Sequence, residues 1–273
     1  FEQTILYEFG FTNQFARDWA IDIKSYVKEI SNQVGTTHLR PASGLAIELY
    51  DNKAYSRARG LEFEIIKRYS NFSSGKINYT MQWANGYSSS AFDDYIRSLS
   101  DFPYPIRERR LGWDIRHQVV FNATLSSPEG KHLNIFGLSF PDKWDITVLS
   151  RLSSGSPYTS GTNDPIEFQK TENNASGPPI YSTDIKFRKF INLKSARLTV
   201  YLDIFNVFNQ KNIQIGYGFN TWTGKPYKYG DVFQNTNRGY DWYAMYNLMD
   251  PRQFSLMRYT KIGVSIDFKT KKQ

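Results

Sequence analysis

The sequence contains no cysteine, and this absence excludes several kinds of protein at once. A disulfide-stapled domain, a zinc site with thiolate ligands, an iron–sulfur cluster and a thiolate nucleophile all need cysteine. The sequence also lacks the roughly 18 consecutive apolar residues that a transmembrane helix requires. A membrane-spanning β-strand is not excluded, because its apolar and polar residues alternate, and the mean hydropathy of −0.54 is compatible with that alternation.

Residues that could perform chemistry are scarce. The three histidines, His38, His117 and His132, are far apart and lack metal-ligand spacing. No nucleophile motif or catalytic carboxylate pair stands out, so we expect neither an enzyme, nor a metal site, nor a cofactor. The net charge of +8 comes from 34 basic and 26 acidic residues. These basic residues are scattered, apart from the tail at 269–273, so a nucleic-acid partner is not expected.

Aromatic and β-branched residues are abundant, and they alternate with polar residues. Ile77, Tyr79, Met81 and Trp83 occupy every second position, and the same pattern recurs over 198–204 and 262–268. A period of two places one set of side chains on each face of a sheet. The sequence therefore predicts an all-β fold with about nine strands, near 1–9, 14–33, 54–69, 75–89, 113–127, 143–158, 180–191, 196–214 and 256–268.

The lengths of these strands and of their connections favour a membrane barrel. Strands of soluble proteins average about five or six residues, whereas membrane-barrel strands need about 9–11. Short connections are predicted near Gly10–Asn13, Ser70–Ser74 and Asn192–Ser195, and long ones near Val34–Lys53, Ser90–Gly112, Thr159–Pro179 and Ile215–Ser255. Short turns on one side and long loops on the other are typical of outer-membrane barrels.

The connection at Ser127–Asp142 is the exception, because it should be short but carries the apolar insert Ile135–Phe140. This insert is either a segment of the barrel rim or a small extra strand pair.

Several side chains indicate which parts of the strands lie at the two membrane surfaces. Trp and Tyr prefer the membrane interface, and we expect this position for Trp19, Tyr26, Tyr79, Trp83, Trp144, Tyr158 and Tyr181. Arg57, Arg59 and His117 share parity with lipid-facing residues. They either lie among the lipid head groups or follow a β-bulge.

The last strand, Lys261–Phe268, has a polar residue, then glycine, then alternating apolar residues that end in an aromatic. This pattern resembles the assembly signal of bacterial outer-membrane barrels, with Lys261, Gly263, Ile266 and Phe268 as its elements. The resemblance implies the barrel-assembly machinery as a partner, which would pair with the strand edge. The family usually stops at the aromatic residue, whereas this chain continues.

Further motifs resemble the barrel of TonB-dependent receptors, namely Ala58–Glu64, Arg116–His117, Gly155–Tyr158, Leu202–Asn209 and Asp250–Arg252. The resemblance implies a receptor in the outer membrane of a Gram-negative bacterium that takes up a scarce or bulky nutrient. Energy would be coupled through TonB, and a plug domain would fill a barrel of about 22 strands.

Nothing in the sequence resembles a plug domain or the short energising box. We therefore expect residues 1–268 to be the carboxy-terminal part of such a barrel, followed by a short basic tail at 269–273. A fragment, a partial chain and a split barrel all remain open.

The loop Ile215–Ser255 is rich in aromatic residues. Exposed rings can stack on a ligand, and the candidate ligand-binding residues are Trp222, Tyr227, Tyr240, Trp242, Tyr243 and Tyr246. The alternative is a self-packed loop that covers the barrel. Two rival functions also remain: a passive porin-like or structural outer-membrane barrel, and a soluble all-β carbohydrate-binding protein.

Overall fold

The computed structural model describes residues 1–39, 47–99, 107–161, 167, 170–227 and 251–268. Four of the candidate ligand-binding residues, Tyr240, Trp242, Tyr243 and Tyr246, lie outside the described residues. The basic tail at 269–273 lies outside them too.

Nine long strands form one antiparallel sheet, in which each strand pairs with the next one along the chain. They are β1 Gln3–Ala16, β2 Trp19–Leu39, β3 Ile47–Ser70, β4 Ser73–Gly86, β5 His117–Ser127, β6 Trp144–Ser153, β7 Ile180–Asn192, β8 Ala196–Phe205 and β9 Tyr259–Phe268. The predicted all-β antiparallel architecture is confirmed. In the described part of the chain the sheet is open, since β1 pairs only with β2 and β9 only with β8.

The remaining elements are short. Helix α1 spans Ala91–Leu99, helix α2 spans Ile215–Gly218, and a 3₁₀ turn spans Pro251–Gln253. Strand Arg109–Arg110 extends the sheet beside the end of β4, and three small pairs join Pro157–Tyr158 to Ala175–Ser176, Phe219–Asn220 to Lys225–Pro226, and Asn134–Ile135 to Leu138–Ser139. None of the helices within the described ranges has the length and apolar character needed to cross a membrane.

The connections at the two ends of the sheet differ in length, as predicted. Tight turns join β1 to β2, β3 to β4 and β7 to β8, whereas the connections at the opposite end, 87–116, 154–179 and 206–258, are long. We call these two ends the turn edge and the loop edge. The insert between β5 and β6 lies at the turn edge, and its small strand pair (Asn134–Ile135 with Leu138–Ser139) confirms one of the two alternatives for it.

Two predicted connections were wrong. Gly10–Asn13 lies inside β1, where Gly10 pairs with Lys24. Its polar residues suggest a turn, but Thr12 instead donates a hydrogen bond to Asp22 across the strand pair at 2.9 Å. Residues Val34–Lys53 are not one long loop, because β2 continues to Leu39 and β3 begins at Ile47.

Strand β8 is shorter than predicted, because Asn206 ends it. This residue has a φ of 51°, a left-handed conformation that a strand cannot continue through. Its side chain accepts a hydrogen bond from the Gln210 N–H at 2.8 Å and donates to the Leu256 carbonyl at 3.0 Å. Asn206 therefore fixes the start of the long loop between β8 and β9.

The strand register builds one apolar face. The rows of directly paired residues that cross the sheet on this face are largely apolar, and one of them consists of Phe11, Ile23, Phe63, Tyr79, Val119, Leu152 and Tyr181. Phe11, Leu152 and Tyr181 of this row are exposed, and elsewhere on the same face Phe9 is 78% exposed and Ile262 is 77% exposed. A patch of this kind is far larger than soluble monomers present to water.

The opposite face is polar. One of its rows consists of Thr12, Asp22, Glu64, Asn78, Val120, Arg151 and Ser182. The sheet therefore has an apolar face and a polar face along its whole width, which is the pattern of a barrel wall with lipid outside and water inside.

Charged and aromatic side chains mark both borders of the apolar face. On β3, Arg59 and Lys67 bracket the apolar residues Leu61, Phe63 and Ile65. The eight residue steps between them span about 26 Å of strand. At a strand tilt of about 40°, this length corresponds to about 20 Å of membrane thickness, slightly less than the roughly 25 Å of a typical apolar band.

The three residues that did not fit the apolar alternation, Arg57, Arg59 and His117, lie at the border of the apolar face nearest the loop edge. No bulge separates Arg57 and Arg59 from the apolar residues, since the register of β3 on β4 runs without a shift from Ser56 to Lys67. Arg57 forms an ion pair with Glu29 at 3.0 Å. His117 shares a hydrogen bond with the Tyr79 hydroxyl at 2.9 Å. Their positions fit the head-group alternative, and the bulge alternative is wrong.

Two tyrosines of the polar face each lie over a glycine of the neighbouring strand. Tyr26 pairs with Gly60, and Tyr201 pairs with Gly263. A Cβ on Gly60 would lie 2.8 Å from the Tyr26 ring, and one on Gly263 would lie 2.2 Å from the Tyr201 hydroxyl. The expectation of an interfacial Tyr26 is wrong, because it faces the polar side and its hydroxyl donates to Gln82 at 3.2 Å.

Gly263→Ala should destabilise the sheet by about 1–3 kcal/mol, because the added methyl group overlaps the Tyr201 ring. Unfolding by urea in detergent measures this loss. In a Tyr201→Ala background the same substitution should cost little, since the overlapping ring is gone. Gly10→Ala is the matched control, because its Cβ would meet mainly the flexible Lys24 stem at 3.3 Å. Equal losses in both backgrounds would contradict the proposed overlap.

Candidate functional site on the polar face and the long loops

Ion pairs cover the polar face between β2 and β4. Lys24 pairs with Asp22 at 3.0 Å, and Lys76 pairs with Glu64 at 2.7 Å. Glu62 lies beside them in the same groove. These side chains are partly exposed, so each pair contributes at most about 1 kcal/mol to stability. Their main effect is to keep this face hydrated and charged.

A second charged groove lies between β6 and β9. Arg188 pairs with Asp145 at 2.8 Å, and Lys186 approaches Asp203 at 3.6 Å. The lining of this groove also includes Arg197, Tyr201, Lys261 and Asp267. In the described ranges there is no group of three or more acidic or histidine side chains that could hold a metal ion. The arrangement suits a water-filled surface or a polar protein contact better than acid–base chemistry.

Asp114 is the centre of the loop that leads from β4 to β5. Its carboxylate is fully buried and accepts hydrogen bonds from the Ala84 N–H at 3.0 Å, Arg110 Nε at 2.7 Å and Arg116 Nη2 at 2.8 Å. The Ala84 N–H would otherwise lack a partner, because the chain leaves the ladder here. Asp114 thus anchors the loop on β4 with a buried, doubly paired carboxylate.

Leu111 completes this anchor. It is fully buried and packs with Ala58 and Ala84 in a small core that Tyr26 borders. Its N–H donates to the Ala84 carbonyl at 3.0 Å. The loop therefore covers Ala58 and Ala84 of the polar face.

The loop 87–116 is tied to the next long loop by a nearly buried ion pair. Arg109 Nη1 lies 2.7 Å from Glu172 Oε2, and their side chains are only 10% and 8% exposed. Asn173 also donates a hydrogen bond to the Arg110 carbonyl at 2.8 Å. Since both partners of the pair are present, the cost of burying each charge is offset.

The loop 154–179 in turn contacts the loop after β8. Tyr158 packs edge-on against Phe219, with ring centroids 5.0 Å apart. A Cβ on Gly161 would lie 2.2 Å from the Trp222 ring, so the indole rests directly on this glycine. The described parts of the three long loops therefore form one connected layer over the loop edge.

Two of the predicted ligand-binding residues belong to this layer. Trp222 is 40% exposed and lies on the small hairpin that pairs Phe219–Asn220 with Lys225–Pro226. Tyr227 follows that hairpin, and its N–H donates to the Gly218 carbonyl at 3.1 Å. These contacts support the self-packed alternative for the described part of the loop, and binding of a ligand by these rings stays a prediction.

Sequence reasoning missed the charged residues that join the loops. Arg109 and Glu172 are separated by more than 60 positions, so no local pattern connects them. Asp114 carries a weak signal, since Arg110 and Arg116 flank it at short spacing.

The residues of the predicted assembly signal divide between the two faces of β9. Lys261 and Gly263 belong to the polar face, where the Lys261 ammonium lies 5.4 Å from the centre of the Phe205 ring. Ile266 and Phe268 belong to the apolar face and are 53% and 80% exposed. In the described residues the outer edge of β9 has no paired strand, so its backbone is available for pairing.

Asp114→Ala should destabilise the loop anchor by about 3–5 kcal/mol, because it leaves two arginines and the Ala84 N–H without their partner. Hydrogen exchange of residues 107–116 and thermal unfolding in detergent measure this effect. Glu108→Ala is the control, since Glu108 is an exposed carboxylate of the same loop. If both variants exchange alike, Asp114 is not the anchor.

No protein-family model matches the chain, and no curated protein sequence matches it. Solved structures do match. The outer-membrane transporter YddB from Escherichia coli has 9% sequence identity and a TM-score of 0.56 over 78% of this chain and 29% of its own. FpvA from P. aeruginosa, solved with bound pyoverdines, has 10% identity and a TM-score of 0.54, over 97% and 27%.

The FrpB iron transporter from Neisseria meningitidis (F3-3 variant) has 14% identity and a TM-score of 0.50, over 77% of this chain and 27% of its own. The chain thus spans less than a third of the length of each of these structures. At such low identity the likeness concerns the fold. The chain has the fold of part of the barrel wall of TonB-dependent outer-membrane receptors and transporters.

Proposed function

We propose that this chain forms part of the wall of an outer-membrane receptor, in a Gram-negative type of bacterium, that takes up a scarce or bulky nutrient with energy coupled through TonB. The observation that carries the proposal is the continuous two-faced sheet. Its apolar face carries exposed side chains such as Phe9, Leu152 and Ile262, and its opposite face carries ion pairs. Lipid on one side and water on the other satisfy both faces.

The two outermost strands of the sheet support the proposal of a larger barrel. In the described residues, neither β1 nor β9 pairs on its outer side. Unpaired backbone groups do not occur in contact with hydrocarbon, because each costs several kcal/mol. Further strands must therefore pair with both edges in a membrane. This agrees with residues 1–268 being the carboxy-terminal part of a barrel of about 22 strands.

The same features weigh against a soluble carbohydrate-binding protein. Such a protein would bury its apolar face, whereas Phe9, Ile262 and Phe268 are each at least 77% exposed here. A passive porin-like barrel fits the sheet equally well. It differs from a receptor in needing no plug domain and no energy source, so transport experiments separate the two.

The proposed partners follow from the receptor model. They are membrane lipid around the apolar face, a plug domain against the polar face, TonB, and the assembly machinery on β9 through Lys261, Gly263, Ile266 and Phe268. Trp222, Tyr227, Tyr240, Trp242, Tyr243 and Tyr246 are the proposed nutrient contacts. The names of two structural neighbours, an iron transporter and an FpvA–pyoverdine–iron complex, make iron chelates the first substrates to test.

Uptake should depend on TonB. The full-length protein, expressed in a bacterial host without its own iron-chelate receptors, should import radiolabelled iron chelates when TonB is present and lose this uptake when TonB is absent. Equal uptake in both hosts would contradict the receptor and support the passive barrel. If no iron chelate is taken up, the same pair of hosts tests other nutrient classes, including cobalamin, glycans and peptides.

A further inference from the structure

One connection at the turn edge is unlike the others. The turns after β1, β3 and β7 contain two or three residues, whereas residues 128–143 form a long insert between β5 and β6. We call these residues the rim hairpin. Its two small strands, Asn134–Ile135 and Leu138–Ser139, pair around a tight turn at Phe136 and Gly137.

The tip of the rim hairpin is strained and apolar. Phe136 and Gly137 have φ values of 51° and 80°, which a two-residue hairpin turn of this type requires. Glycine adopts such values freely, but a bulky residue does so at a cost. Phe136 is nevertheless completely exposed, at 101%, with Leu138 at 67% and Phe140 at 40%. The Phe136 ring is thus exposed, although the backbone conformation of this residue is unfavourable.

The limb of the rim hairpin that leads into β6 contacts the apolar side of the sheet, whereas Glu129 of the other limb accepts a hydrogen bond from Asn192 of the polar face. Trp144 Nε1 donates to the Pro141 carbonyl at 2.6 Å, and Lys189 Nζ donates to the Asp142 carbonyl. By register, Trp144 and Lys189 both belong to the apolar face. Trp144 is only 8% exposed, so the hairpin covers a side chain that would otherwise contact lipid. The apolar tip therefore continues the surface that faces the membrane.

The base also holds charged side chains, and most of them are paired with one another or with the backbone. Lys143 forms an ion pair with Glu129 at 2.6 Å, which raises the Lys143 pKa. The Gly130 N–H donates to the Asp142 carboxylate at 2.7 Å and lowers its pKa. Lys131 is exposed and makes no ion pair with the described residues. A lysine near the membrane surface contributes about 1 kcal/mol of binding free energy through its attraction to anionic lipid head groups.

We propose that the rim hairpin is a membrane anchor, which inserts Phe136, Leu138 and Phe140 into the head-group region of the adjacent lipid leaflet while Lys131 contacts lipid phosphate. The inference rests on the proposed function, since it needs the sheet to span a membrane. Lipid is the occupant because the limb that leads into β6 adjoins the apolar face, the tip is apolar, and the exposed Lys131 has no ion-pair partner among the described residues.

A fluorescent label at Phe136 tests the anchor. These 273 residues contain no cysteine, so Phe136→Cys can be labelled at one place with bimane in a full-length protein in which any cysteine elsewhere is replaced by serine. The protein is reconstituted into vesicles of phosphatidylethanolamine and phosphatidylglycerol that contain a lipid with a spin label near its head group. Lys194→Cys is the matched control, because Lys194 is exposed in the short turn between β7 and β8 at the same edge.

The anchor predicts that the label at Phe136 is quenched at least twofold more by the spin-labelled lipid than the label at Lys194, and that Lys131→Glu reduces this difference. Equal quenching at both positions, with equal access to aqueous iodide, would overturn the anchor. A Phe136 label shielded from iodide but not quenched by lipid would indicate a protein surface, such as a second copy, and would also overturn it.

A third label separates this inference from the proposed function. Phe121 lies on the apolar face in the middle of β5, and a label there should be quenched by lipids brominated deep in the acyl chain. Quenching at Phe121 without quenching at Phe136 would refute only the anchor. Absence of quenching at both positions would refute the membrane assignment itself.

Discussion

The structure depends on one constraint: the antiparallel register must keep the largely apolar rows of side chains on the same side of the sheet. A shift of a single residue in one strand would move all of its side chains to the wrong face. In hydrocarbon that error would place charges such as Lys186 and Arg188 in lipid. Every strand must also satisfy its backbone groups through its neighbours. The fold is therefore held by register and ladder pairing more than by a buried core, and the described buried apolar residues are few and mostly small.

Several local contacts fix that strand register. Tyr26 over Gly60 and Tyr201 over Gly263 are pairs in which only glycine leaves room for the ring. At the loop edge, Asp114 closes the ladder where β4 loses its neighbour. The ion pair Arg109–Glu172 then joins that loop to the next one. The polar face and the loop layer are thus built on the same strands that form the lipid-facing wall.

The sequence pattern predicts the membrane-spanning part well, because lipid imposes alternation on each strand there. The prediction from the sequence pattern fails outside the membrane-spanning part, where lipid no longer imposes alternation. Beyond the loop-edge border, β2 and β3 continue as a paired extension of the sheet, although residues there such as Gly35 and Thr36 resemble a loop in the sequence. Polar residues within β1 resemble those of a turn in the sequence. In the structure they instead pair across the sheet. The end of β8 depends on contacts of Asn206 with Gln210 and Leu256, which only the folded loop brings together.

The loop contacts were beyond sequence reasoning for a different reason. Trp222 stands out as an aromatic residue in a long loop, but its neighbour Gly161 lies about 60 positions away. The partners of Arg109 and Trp222 become visible only once the sheet sets adjacent loops side by side. Aromatic content alone therefore directs attention to this loop but does not distinguish a packed ring from a ligand contact.

Accessibility along β7 tests the two-faced sheet most directly. Single cysteines at Ile185, Lys186, Phe187 and Arg188 would be reacted with a charged, water-soluble maleimide in vesicles that hold the full-length protein. The account predicts fast labelling at Lys186 and Arg188 and slow labelling at Ile185 and Phe187, because the register alternates water and lipid along the strand. Uniform labelling at all four positions would contradict it.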